Sequence, residues 1–228
     1  MRLIGENNFS VEWLRSWQLH IAGATIASSI LLFSATYSSI AQQTSDLHTP
    51  SELVELLADG GLILFVRHAA TDHSQSDQDI SDLSRCDLQR NLSQQGKDEA
   101  ATIRAAVEKH QIPIGAVLTS PYCRTVDTAR LAFGRYTIVH DLRATFFTSA
   151  SETNEINRKL RVLLSEAPDS GTNTVLVGHT ANLSDVTDVW PKPEGVTHIF
   201  RPLGLQGFEH LGRITPEDWE KLLSIENN

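Results

Sequence analysis

Four side chains stand where chemistry is possible: Arg67 and His68 in "GLILFVRHAATDH", Arg124 in "LTSPYCRTVDTA" and His179 in "VLVGHTAN". Each follows closely on an apolar run, so each is predicted at the carboxyl end of a strand covered on both faces. In an open parallel sheet, ligands bind outside those ends. Two guanidiniums and two imidazoles gathered there, beside helix starts with free N–H groups, would hold a tetrahedral dianion such as phosphate. A histidine kept neutral by arginine charge could also attack the phosphorus. Each piece has a plainer reading on its own. His68 could be a hydrogen-bonded structural imidazole, Arg124 half of a surface ion pair, and Gly178-His179 a turn. Three equivalent junctions together favour the anion site.

The elements that must position these residues can be read along the chain. "SELVELLA", Ser51 to Ala58, has apolar residues at helical spacing, and Leu62 to Val66 is a continuous apolar strand. Thr71 to Arg90 is polar and long for a loop in a compact domain, which suggests a lid or rim. Ser93 caps a helix to about His110, and Ala116 to Thr119 forms the second strand. Ser120 then reads as an N-cap with Pro121 at the first helical position. A strand at Thr137–His140, a helix at Ser151–Ser165 and a β-branched strand at Thr174–Val177 follow. "GHTANLSDVTDVW" supplies a short helix, Thr197–Phe200 and Gly207–Ile214 read as edge strands, and Thr215 opens a closing helix. This alternation predicts an α/β fold of three layers, a mostly parallel central sheet flanked by helices.

Composition sets the outer limits. The chain has 228 residues, 40% hydrophobic and 21% charged, with a net charge of -9. That suits one sizeable folded domain and argues against a nucleic-acid partner, which would meet a basic face. Ile21 to Ile40 carries no charge, and Ser39 and Ala41 sit at signal-peptidase spacing. An export signal cleaved after Ala41 is the favoured reading, and an uncleaved membrane anchor the other. Residues 42–50 then form a flexible lead-in and 51–228 a single domain. Cys86 and Cys123 are the only cysteines. In an oxidising compartment they make a disulfide; in a reducing one they would be two free thiols.

The four elements resemble, in order and spacing, those of the histidine phosphatase superfamily, which has the phosphoglycerate mutase-like fold. "VRHAAT" resembles that family's Arg-His-Gly motif followed by Thr, and "RNLSQQG" its Leu-Ser/Thr-x-x-Gly helix start. "LTSPYCRTVDTA" and "VLVGHTAN" are similar to its Ser-Pro/Asp-x-x-Arg-x-x-x-Thr-Ala and Gly-His elements. The resemblance implies that His68 is the phosphoryl-accepting nucleophile, with Arg67, Arg124 and His179 on the phosphate oxygens. It extends the substrate-binding set to Thr71 and Asn182, and implies a small phosphorylated substrate, no cofactor and no metal. Two departures stand out. Ala69 replaces the motif glycine, which would narrow the space beside the phosphate. The family's usual proton donors are also missing: Ala144 stands where many members carry Glu, and Thr180 where others carry Asp.

Glu194 in "WPKPEGV" is the expected substitute acid. If the strand that follows it runs antiparallel, Glu194 reaches the catalytic edge; otherwise it is a solvated loop glutamate. Asp72, Asp141 and Glu152 are weaker candidates. The expected function is an exported phosphatase acting on a phosphomonoester, with a cell-envelope sugar phosphate as the substrate suited to export. A phosphohistidine or acyl-phosphate phosphatase, whose substrates need little acid help, and a phosphate-binding module that has lost its acid are the alternatives. A bridge from Cys86 to Cys123 would tie the polar loop to the turn before Arg124 and preorganise the pocket.

Overall fold

The computed structural model describes residues 47–224, so the signal or anchor expected over residues 1–41 lies outside the described residues. Six strands form one sheet: β1 (Ile63–Arg67), β2 (Ile114–Thr119), β3 (Thr137–Ile138), β4 (Asn173–Gly178), β5 (Thr197–Pro202) and β6 (Phe208–Ile214). Their order is β3-β2-β4-β1-β5-β6. The first four places are parallel, whereas β5 runs antiparallel to β1 and β6 antiparallel to β5. The expected α/β sheet is therefore present, with parallel strands as its majority. The expectation that both late strands are edges fails for β5. It pairs with β1 on one side and β6 on the other, so it is interior.

Period-two patterning splits the core into two layers. Leu64 and Val66 of β1 join a cluster with α1 (Pro50–Ala58), α2 (Gln94–Lys109), α3 (Cys123–Phe133) and α6 (Pro216–Ser224). Ile63 and Phe65 face the other way, against α4 (Ala150–Ser165) and α5 (Thr180–Ser184). All four apolar β1 side chains are fully buried, each worth about 1.5–3 kcal/mol over exposure. The sheet is thus pinned on both faces at the strand that ends in the candidate nucleophile. Among the described residues no helix is long and apolar enough to cross a membrane.

Four of the six helix starts follow local side-chain capping chemistry; α5, with His179 at its N-cap, and α3 do not. Thr49, Ser93 and Ser149 accept the backbone N–H three residues on, and Thr215 does the same for Asp218. At α3 the local signal is present but unused. Its N-cap is Tyr122, not Ser120, because the Ser120 hydroxyl is bonded instead to His179 Nε2 at 2.9 Å. A contact between distant strands overrides the local capping signal there.

Gly96 explains part of the "LSQQG" motif. A Cβ at this position would overlap the Ala70 carbonyl, while Ser93 donates its N–H to that same oxygen at 3.0 Å. The glycine lets α2 dock directly on the turn after β1.

Candidate active site

Strand register brings the three expected junctions together. Arg67 pairs with Gly178 in the β1–β4 ladder, and Thr119 with Val177 in the β2–β4 ladder. The chain therefore leaves all three strands at one level. His68 donates its backbone N–H to the Gly178 carbonyl at 3.1 Å, and Ser120 donates to Val177 at 2.9 Å. The His68 and His179 rings then lie 5.5 Å apart, edge to face. Tyr122 packs against His179 at 4.9 Å, and Arg124 stacks over the Tyr122 ring at 4.5 Å.

The tautomer of His68 follows from its partner. Nδ1 lies 3.0 Å from the Ala69 carbonyl, which can only accept, so Nδ1 carries the proton and Nε2 keeps its lone pair. His68 is buried. Burial first, and then the charge of Arg124, push its pKa down to about 3, so the imidazole is neutral at ordinary pH. His179 is held well below the usual histidine range by burial, followed by Arg124. Its backbone N–H donates to Asn182 Oδ1 at 3.0 Å, and Asn182 Nδ2 donates to the Arg143 carbonyl at 2.8 Å. Both ends of that buried amide are thus bound to backbone, and Asn182 sets the exit of β4.

The two arginines are held by one guanidinium edge each. Arg67 donates from Nη1 to the Pro191 carbonyl at 3.1 Å and from Nη2 to Glu194 Oε1 at 3.1 Å. Arg124 donates from Nη1 to Asp77 Oδ1 at 3.0 Å. The Nε atoms of both are buried and have no protein partner. A buried, unpaired N–H is costly, and an anion accepting from these donors removes that cost.

Glu194 reaches the catalytic edge because β5 is antiparallel: Gly195 donates its N–H to the His68 carbonyl at 2.9 Å. Its carboxylate is heavily engaged. The Thr71 backbone N–H donates to Oε2 at 2.9 Å, the Thr71 hydroxyl lies 3.1 Å from both oxygens, and Arg90 and His73 approach within 3.8 and 3.6 Å. Burial acts to raise the pKa, but the Thr71 bond and then the charge of Arg67 outweigh it, so the carboxyl lies below its ordinary value. Thr71 accordingly faces Glu194. Beside them a cleft of about 980 Å³ is lined by Arg67, Thr71, His73 and Glu194, and its walls do not include His68, Arg124 or His179.

The weaker acid candidates serve other partners. Asp72 closes a turn with Ser74, Asp141 pairs with Lys159 at 2.7 Å, and Glu152 caps α4. Ala69 donates its N–H to Thr128 Oγ1 at 3.0 Å and is packed in the core with Leu92 and Ala100, which is where its methyl finds room. Cys86 and Cys123 form a disulfide, with Cα atoms 5.6 Å apart.

The sequence reading missed Asp77, Arg90 and Tyr122. Tyr122 lies inside a recognised motif, and Arg90 opens the stretch that carries another. Asp77 sits in a polar stretch with no periodicity to mark it.

The chain belongs to the histidine phosphatase superfamily (branch 1), whose family model matches residues 63–181. Among solved structures it shares its fold with the protein histidine phosphatase SixA, determined with tungstate. Identity is 13%, over 69% of this chain and 98% of that one, with a TM-score of 0.51. It is also similar to a phosphoserine phosphatase from Entamoeba histolytica (11% identity, 69% and 98% covered, TM-score 0.49). A mycobacterial glucosyl-3-phosphoglycerate phosphatase matches at 15% identity, with 66% and 96% covered and a TM-score of 0.47. No curated protein sequence matches the chain.

Proposed function

We propose that the chain is an exported phosphatase that hydrolyses a phosphomonoester through a phosphohistidine at His68. The observation that carries this reading is the state of that side chain. It is neutral, its Nδ1 proton is committed to a carbonyl, and it stands beside two arginines with unpartnered Nε donors. In the proposed reaction His68 Nε2 attacks phosphorus. Charge developing on the equatorial oxygens is met by Arg67, Arg124 and His179, already in place. Water then hydrolyses the phosphohistidine.

The export part rests on the uncharged stretch Ile21–Ile40, the small residues at Ser39 and Ala41, and the Cys86–Cys123 disulfide. On this reading residues 1–41 are the signal or anchor, 42–50 a lead-in and 51–228 the enzyme. A periplasmic or extracellular site suits a cell-envelope sugar phosphate. One observation favours a second reading, a phosphohistidine or acyl-phosphate substrate. Ala144, at the place where the family usually carries Glu, is buried and offers no proton.

Rapid quench with a ³²P-labelled aryl phosphate tests the proposal. An acid-labile phosphoenzyme is expected in the wild type and none in His68→Ala, with turnover reduced to background. A wild type that forms no adduct and turns nothing over would refute the enzymatic reading.

A further inference from the structure

The missing proton donor has a candidate that no motif marks. Of the carboxylates near the site, two touch the phosphate-clamp arginines: Glu194 on Arg67 and Asp77 on Arg124. Their oxygens differ. Both Glu194 oxygens are taken by Thr71, with Arg67 and Arg90 on one and His73 near the other. Asp77 concentrates its contacts on one oxygen. Oδ1 accepts from Arg124 Nη1 at 3.0 Å and from the Arg90 backbone N–H at 3.0 Å, whereas Oδ2 has only a long 3.4 Å approach from Nη1. The carboxyl is thus oriented through Oδ1 with Oδ2 open, the arrangement a proton donor needs. Glu194 is oriented through both oxygens, the arrangement of a brace.

The loop that carries Asp77 is built to hold it there. Asp72 donates its N–H to the Asn91 carbonyl at 3.0 Å, and Gln78 donates to Leu88 at 2.8 Å. Gln89, itself buried, accepts the Cys123 N–H at 3.0 Å through Oε1. The Cys86–Cys123 bond closes the same arm onto the residue next to Arg124. Hydrogen bonds and a covalent link therefore lead from the loop to the clamp, and Asp77 lies at their meeting point.

We infer that Asp77 is the general acid and base of this site, with Glu194 a positioning residue for Arg67; this rests on the phosphohistidine reading above. In the first step the His68 Nε2–P bond forms and the P–O bond to the leaving group breaks. The electron pair of that bond goes to the leaving oxygen, which takes the proton from Asp77 Oδ2. In the second step water attacks phosphorus, the Nε2–P bond breaks, and Asp77 recovers a proton from the attacking water.

The test compares leaving groups. Wild type, Asp77→Asn and Glu194→Gln are assayed on an aryl phosphate with a good leaving group and on a simple alkyl phosphate. In Asp77→Asn, kcat on the alkyl phosphate is expected to fall about 10²–10⁴-fold, and on the aryl phosphate by less than about tenfold. The aryl phosphoenzyme burst should persist in that variant, which shows an intact fold and clamp. In Glu194→Gln both substrates should lose rate by similar factors. Equal losses on both substrates in Asp77→Asn, or loss of its aryl burst, would make Asp77 a support for Arg124 only and overturn the inference. A leaving-group-dependent loss in Glu194→Gln instead would return the role to Glu194. Absence of a phosphoenzyme in the wild type would strike the underlying reading, and is separately visible.

Discussion

The two sides of the candidate site are built in different ways. On one side, His68 and His179 stand at the ends of adjacent parallel strands, one ladder step beyond the Arg67–Gly178 pair. Their places follow from sheet register and from a core that buries β1 on both faces. On the other side, Asp77 and Arg90 sit on a 71–91 arm with little regular structure, a 3₁₀ turn at Cys86–Leu88. Their places follow from hydrogen bonds, an ion pair and one disulfide. A strand end is fixed by a cooperative ladder, and a loop only by its own contacts. The nucleophile side should therefore tolerate insults that release the loop side, and the reverse should not hold.

Arg124 joins the two sides, so its removal should have the largest effect. Arg124→Ala is expected to lower kcat/KM about 10²–10³-fold, the range for deleting one preplaced charge-stabilising group. It should also raise the apparent pKa of His68, because Arg124 is the second cause holding that value down after burial. A pH–rate profile whose acidic limb stays where it is in the wild type would count against a direct Arg124–His68 interaction.

Breaking the disulfide addresses the loop side alone. The bond closes 37 residues, worth at most roughly 4 kcal/mol in the chain-entropy model. Cys86→Ser/Cys123→Ser should lower the thermal midpoint and speed proteolysis within residues 71–91. The aryl phosphoenzyme at His68 should still form. If nicking instead spread to the strands with no preference for the arm, the contrast between the two sides would be lost.

Over the ordinary working range, pH should have the smallest effect. His68 and His198, each lowered to about 3, and His179, also lowered, bind protons less well folded than unfolded. Below about pH 6.5 the unfolded chain takes up protons that the native state refuses, so stability falls as pH drops from 6.5 towards 3. Urea midpoints should be flat from pH 7 to 8 and decline steadily below 6.5. A midpoint unchanged down to pH 4 would mean that these imidazoles are not buried and neutral.

How much was legible in the sequence follows the same division. The runs ending at Arg67, Thr119 and Gly178 mark strands by composition alone, and a parallel sheet forces their exits to one edge. Ser93 was readable because a cap acts within one turn, whereas Gly96 was legible only through the family motif, since the Ala70 backbone it approaches comes from a distant segment. Ser120 misled because its hydroxyl answers to His179, 59 residues away, rather than to its own helix. Asn182 and Thr71 lay in readable motifs, but their partners Arg143 and Glu194 come from distant segments and could not be read. Glu194 depended on one condition, the direction of β5, which the antiparallel ladder supplied.

By itself the sequence determined the α/β alternation, the family, and the candidate nucleophile with its arginine neighbours, because these are encoded by residue type next to an apolar strand. Only the tertiary structure decided which carboxylate oxygens are open, which guanidinium edges lack partners and which hydroxyls are already bound. Those properties depend on contacts between segments far apart in the chain. No local pattern records which of several nearby acceptors a long side chain will meet.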